Sequence, residues 1–163
     1  MSLLFNPETA PFAEGYRRSA EAAAPTLGLT VVSAPCGKAA DIESAFDARA
    51  RESSGGIIGI PDTFLDEHRD LIIELAAWYH LPAVYGLRDF VTRGGLLAYS
   101  ADFVAIFHRA AGYVDQTLRG VRPGELPVQA PDKFTLSVNL RAAGAISLTL
   151  PQHLIARADE VIE

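Results

Sequence analysis

The chain has a single cysteine, Cys36, among 163 residues, so no disulfide can close within it. Pro35 and Gly37 place that cysteine at a strand-to-loop passage, where a thiol usually serves as a small apolar side chain. Only Lys38 lies close enough in sequence to activate it, and no catalytic thiol is expected. No apolar run is long enough to cross a bilayer. The opening Met1-Ser2-Leu3-Leu4-Phe5-Asn6-Pro7 lacks the basic start, long apolar stretch and cleavage site of a secretory signal peptide. Clustered basic charge is also missing. The 14 Lys and Arg residues are scattered in a chain of net charge -6, which argues against nucleic acid as a partner. Arg17-Arg18 comes nearest to a cluster, but Glu14 and Glu21 stand beside it and the group reads as a solvated helix face. There is no G-x-S-x-G, no glycine-rich phosphate loop and no H-E-x-x-H. His68, His80, His108 and His153 fall on or near helices without metal-ligand spacing. A dyad of Glu8 and Asp62 could form if their loops met, but nothing requires it. The sequence therefore assigns no catalytic residue, no metal and no cofactor.

What is present is an ordinary globular composition, 49% hydrophobic and 21% charged, in a chain long enough for one domain with a core. Short β-branched runs alternate with helical patterns. Strands are expected near 2–5, 29–34, 57–60, 83–86 and 96–99. The run Ile57-Ile58-Gly59-Ile60 is apolar throughout, as in a strand buried on both faces. Between these strands, helices are expected at 11–24, with Thr9 as N-cap and Gly28 as the terminating glycine, then after an Asp41 cap, and over 66–79. Ser53-Ser54-Gly55-Gly56 should break the second of them. The alternation predicts an α/β fold, a doubly wound parallel sheet with right-handed connections.

Beyond Tyr99 the pattern changes. Residues 102–119 read as one long helix whose apolar face, widened by Val104 and Ile106, exceeds what a surface helix needs. A connector with Pro123, Pro127 and Pro131 follows, then an alternating strand over 134–140 and a closing helix over about 152–161.

Parallel sheets bind ligands beyond the carboxyl ends of their strands. The loops 6–9, 61–63, 85–88 and 99–102 each follow a strand and precede a helix, offering free backbone N–H groups beside polar side chains. Asn6, Asp62, Thr63, Tyr85, Gly86 and Tyr99 are the candidate ligand-binding residues. Asp62 suits a ligand ammonium or hydroxyl, but its spacing favours a helix N-cap or a turn residue, and Asn6 has the same two readings. Tyr85 and Tyr99 suit stacking on a ligand or the edge of the core.

The phrases LFNPETAPFAEGYRRSAEAAAPTLGL, LIIELAAWYHLPAVYG, GGLLAYSADF, RAAGYVDQTLRGVRPGELPVQAPDKFTLSVNL and LTLPQHLIARADEVIE resemble the substrate-binding proteins of ABC transporters, a family that includes aromatic amino-acid binders. The resemblance runs in order over essentially the whole chain. It implies a fold of the type I periplasmic-binding-protein kind, two α/β lobes joined by hinge crossings with a small-molecule solute in the cleft. This sequence matches the latter part: residues 1–100 as the second lobe, 101–163 as hinge-crossing segments, and the first lobe not represented. The same resemblance places Asn6, Asp62, Tyr85, Gly86 and Tyr99 at positions facing the cleft. It implies a periplasmic location, an ABC permease as partner in the full-length context, and no enzymatic activity. With the surface of the 102–119 helix and the 134–140 strand uncovered, a homodimer through residues after about 100 is expected. An effector-binding domain of a transcription regulator shares the two-lobe architecture, but it would call for a helix-turn-helix segment. A flavodoxin-like enzyme would call for a phosphate loop or an acidic pocket near the N-terminus.

Overall fold

A computed structural model describes residues 1–52 and 55–163; of the expected helix break, Ser53 and Ser54 lie outside the described residues. The chain folds as β1 (Ser2–Phe5), α1 (Ala13–Ala23), β2 (Val32–Pro35), α2 (Ala39–Ala50), β3 (Ile57–Gly59), α3 (Thr63–Glu67), α4 (Arg69–Trp78), β4 (Ala83–Tyr85), α5 (Arg88–Thr92), β5 (Leu97–Ala101), α6 (Phe103–Leu118), β6 (Phe134–Asn139), α7 (Leu140–Ala145), α8 (Gln152–Ile155) and β7 (Glu160–Ile162). One seven-stranded sheet has the order β2-β1-β3-β4-β5-β6-β7. The strands β1 to β5 pair in parallel, as the alternation of strand and helix requires. β6 returns antiparallel to β5, and β7 runs parallel to β6.

Crossover handedness decides which face each helix covers. The step from β1 to β2 runs opposite to those from β2 to β3, β3 to β4 and β4 to β5. On one face, α2, α4 and α5 pack over Leu4, Ile57, Tyr85 and Ala98 through Ile42, Phe46, Ile72, Ala76, Phe90 and Val91. On the other, α1 brings Ala13 against Leu3, Ile58 and Ile60. Leu3 and Leu4 are adjacent yet enter different clusters, the alternation of a strand buried on both sides.

Several expected elements differ. The helix foreseen over 66–79 is two helices meeting at His68, whose φ of -101° and ψ of 15° lie outside helical values. β2 starts at Val32 rather than 29. Gly28 does end the first helical segment, in the left-handed region at φ 64°, where a side chain would be strained. Thr9 does not cap α1, which starts with Phe12 at its N-cap. Phe12 and Tyr16 are about half exposed and lie against each other, ring centroids 6.1 Å apart. Asp41 sits one turn inside α2 and accepts from the backbone N–H groups of Gly37 (2.9 Å) and Lys38 (3.1 Å). The helix expected over 152–161 stops at Ile155, and its last residues form β7, a strand too short to show a period.

α6 leaves the sheet altogether. It buries none of its residues, and the proline-rich strap of 121–133 lies along it. Tyr113 donates its hydroxyl to the Pro127 carbonyl at 2.5 Å, and Arg109 pairs with Asp132. Helix and strap form an arm rooted where β5 ends and β6 begins.

Phe46 is wholly buried between α2 and the sheet. Phe46→Ala should lower unfolding stability by about 3–5 kcal/mol through lost transfer energy and the cavity left behind. A urea midpoint unchanged at equal m-value would show that α2 does not seal this core.

Candidate functional site

Because β1, β3, β4 and β5 are parallel, the loops that follow them meet at one rim. Asn6 and Asp62 come together there, each 5% exposed. The backbone N–H of Asn6 donates to Asp62 Oδ2 at 2.6 Å, the Thr9 hydroxyl donates to Asp62 Oδ1, and the Phe64 N–H donates to Oδ1 at 2.9 Å. The Asn6 side-chain oxygen accepts from the N–H of Glu8 at 2.7 Å. Asp62 thus caps α3 and at the same time ties the loop after β1 to the loop after β3. Both of its readings describe one carboxylate, but its oxygens are occupied by the protein's own donors. Thr9, expected to cap a helix, is one of them.

Gly86 is a close-approach glycine. Its N–H donates to the Gly59 carbonyl at 3.0 Å, and a Cβ there would stand 2.5 Å from Cδ of Pro61. Thr63 opens α3 and is exposed at the rim. Tyr85 corrects the expectation. Its ring is 2% exposed, stacked on Phe90 with centroids 4.5 Å apart, so its side chain belongs to the core and presents nothing at the rim. Burial pushes its phenol well above the ordinary value. Tyr99 is 58% exposed and stacks on Phe134, centroids 5.5 Å apart. By strand alternation its ring lies on the face opposite Ser100.

The cavity at this rim is about 570 Å³ and is lined by Asp66, Leu87, Arg88, Asp89, Ser100, Ala101, Asp102, Phe103, Val104 and Thr135. That volume suits a small organic molecule. The end of α3, the start of α5, the adjoining ends of β5 and β6 and the root of the arm build it. Arg88 grips Glu160 with two N–H groups, Nε at 2.8 Å and Nη2 at 2.5 Å, and Glu160 also accepts from Ser137 Oγ at 3.0 Å. The Arg88 guanidinium holds the Glu160 carboxyl below its usual range. Asp102 caps α6 by accepting from the Ala105 N–H at 3.0 Å and pairs with Lys133 at 2.7 Å. Lys133 first, and that N–H second, lower its pKa. Asp66 pairs with Arg69 at 2.8 Å. The walls therefore carry both signs at close range, with an acidic majority.

Cys36 is buried and its thiol is pushed up to about 11, chiefly by desolvation, so it stays protonated at neutral pH. Sequence reasoning named the loops holding Arg88, Ser100 and Asp102 without singling out those residues. Thr135 and Glu160 carried no signal, since they reach the rim only because β6 and β7, antiparallel to β5, begin at that end of the sheet.

The profile of the family described as ABC transporter substrate binding protein matches residues 2–162. The chain belongs to that family. A conserved domain protein from Vibrio cholerae is 29% identical at a TM-score of 0.85, covering 98% of this chain and 53% of its own. An ABC domain from Streptococcus pneumonia, solved in complex with L-Trp, is 19% identical at a TM-score of 0.85, covering 99% of this chain and 55% of its own. A ligand-free, open substrate-binding protein with adhesive properties from Clostridium difficile is 14% identical at a TM-score of 0.71, covering 99% and 53%. No curated protein sequence matches. This substrate-binding-protein chain spans about half the length of the structures it matches.

Asp62→Ala strands three donors in and around a buried loop junction and should cost about 2–4 kcal/mol, read as a urea midpoint. A midpoint within error of the parent's would mean the two loops hold each other without it. The Arg88–Glu160 pair gives a pH dependence. A carboxyl whose folded pKa is depressed contributes stability above its unfolded pKa, and that contribution is lost as pH falls through the folded value. Glu160→Gln should therefore cost up to about 1 kcal/mol at pH 7, the scale of a partly exposed pair. Variant and parent should converge as pH falls through that folded value. Equal stability at pH 7 would remove the tether.

Proposed function

We propose that this chain is the solute-binding part of an ABC-type importer, taking a small molecule such as an amino acid or a related solute and performing no catalysis. The rim cavity carries the reading: it lies where βα loops converge, has the volume of a small solute, and combines Arg88 with Asp66, Asp89 and Asp102. Family membership supports the same role. On this reading Thr63 and Tyr99, exposed at or beside the rim, are open to ligand, while Asn6, Asp62 and Gly86 shape the loops that meet it. The working protein is placed in the periplasm, with an ABC permease as partner in the full-length context. It assembles as a homodimer through residues after about 100.

Half a cleft holds a solute weakly, because affinity comes from burying most of the ligand's surface. Thermal-shift screening of the twenty L-amino acids and their amines at millimolar concentration, followed by calorimetry, tests the reading. A ligand present at a hundred times its Kd adds about 2.7 kcal/mol. That stabilisation raises Tm by roughly 5–10 °C for a chain of this size. A binder whose effect disappears in Arg88→Ala is the expected result. A panel without any binder, or a binder indifferent to Arg88, would place the solute site elsewhere or nowhere in this chain.

A further inference from the structure

A second cavity, of about 60 Å³, lies at the end of the sheet away from the rim, among Ile73, Ala76, Leu81, Gly95, Leu96 and Ala142. The end of α4, the turn into β5, and α7 after the antiparallel β6 meet around it. Its side-chain walls are hydrocarbon apart from one group. Among the described residues that line it, Tyr85 alone has a polar side-chain atom, and Tyr85 is 2% exposed. Cδ1 of its ring lies 3.5 Å from where a Cβ on Gly59 would stand, and Cε2 lies 2.6 Å from where one on Gly95 would stand. Gly95 lines the cavity and Gly59 does not, so the ring runs from β4 toward the cavity and carries its hydroxyl to the inner end. That hydroxyl is buried and has no hydrogen-bond partner among the described residues. Buried polar side chains are nearly always paired, so an unpaired phenol beside an apolar hollow marks a place for a partner. Burial holds the phenol above its ordinary pKa, so it stays protonated and is free to donate.

We infer that this cavity binds a small uncharged molecule, a short hydrocarbon group bearing a carbonyl, ether or alcohol oxygen that accepts from the Tyr85 hydroxyl. Each part of that description has a physical reason. A charged ligand would be buried without a counter-charge, which is prohibitive. A plain hydrocarbon would leave the hydroxyl unpaired. A water needs two to four polar partners, and the side chains of the wall supply one. Volume sets the size. An engineered cavity of about 150 Å³ takes benzene, so this one holds roughly three or four non-hydrogen atoms. The space is there because Ala76, Gly95 and Ala142 are small where they meet the ring. A ligand of four such atoms binds no more tightly than a Kd of about 50 µM, even at the best efficiency known for tiny ligands. The site is separate from the rim cavity and goes beyond the solute-binding reading, because no residue lines both.

Propanone is the probe, titrated at millimolar concentration into the intact chain with isotope-labelled alanine methyl groups and followed by NMR. Saturable shifts centred on Ala76 and Ala142 are expected. Tyr85→Phe keeps the cavity and removes the donor, so it should weaken propanone about tenfold, the scale of one hydrogen bond. It should leave cyclopropane, of similar size but without an oxygen, unchanged. Ala142→Leu fills the cavity and should abolish both, with the far-UV spectrum checking that the variant folds. Without ligand, Tyr85→Phe should unfold at a urea midpoint no lower than the parent's, since an unpaired hydroxyl contributes nothing. Shifts that rise linearly with concentration, or that survive Ala142→Leu, overturn the site. Equal propanone affinity in Tyr85→Phe overturns the part given to the hydroxyl. A lowered midpoint of ligand-free Tyr85→Phe means that an ordered water already pairs the hydroxyl, and it overturns the assignment. None of these outcomes bears on solute binding at the rim, which Arg88→Ala tests by itself.

Discussion

The structure depends on one constraint: a parallel strand can be followed only by a crossover, and that crossover is right-handed. Once β1, β3, β4 and β5 align in parallel, every loop leaving a strand emerges at the same rim, and every helix is assigned to a face. Polar groups more than fifty residues apart in sequence, such as Asn6 and Asp62, are thereby brought within hydrogen-bond distance without any local signal demanding it. On the α1 face of β5 and β6, Tyr99 and Phe134 near the rim are exposed while Val138, deeper along β6, is fully buried.

At the rim, the polar residues divide by what already satisfies them. Asp62 accepts three donors from its own chain, and a buried carboxylate so engaged has little left for a ligand and much to lose if it moves. It keeps two loops in register. Arg88 differs: a guanidinium carries five N–H donors, and Glu160 takes two of them. The tether between α5 and β7 can stay intact while the remaining donors meet a solute. Residue 160 thus reaches the site through residue 88, and the end of the chain contributes to a rim built by its first hundred residues.

The fold was legible where burial is two-sided. The uninterrupted run Ile57 to Ile60, and the pairs Ile42/Phe46 and Ile72/Ala76, are patterns that the core explains directly. Reading was poorest where a short element takes its state from its neighbours. β7 is three residues long and is a strand because β6 offers it an edge; His68 divides a periodic run into two helices through a backbone outside helical values. Within the site, Asn6, Asp62 and Gly86 were recognised as rim residues from chain position alone. Tyr85 was not placed correctly. A strand-end tyrosine points up, down or inward according to its neighbours, and here Gly95 leaves room for its ring inside the core, since a Cβ there would stand 2.6 Å from Cε2 of Tyr85.

The exposure of α6 sets the energetic scale of the rest. A helix with its apolar stripe in water gains nothing from packing, and propensity alone barely sustains sixteen residues. The strap contributes Tyr113–Pro127 and Arg109–Asp132, contacts to one flank that leave Phe107 and Leu118 bare. Burying several such side chains at about 25 cal/mol per Å² yields several kcal/mol, comparable to the stability of a whole domain. The arm's conformation and the cover over its apolar stripe are therefore one equilibrium. Since the foot of the arm also walls the cavity, whatever covers α6 also fixes the shape of the site.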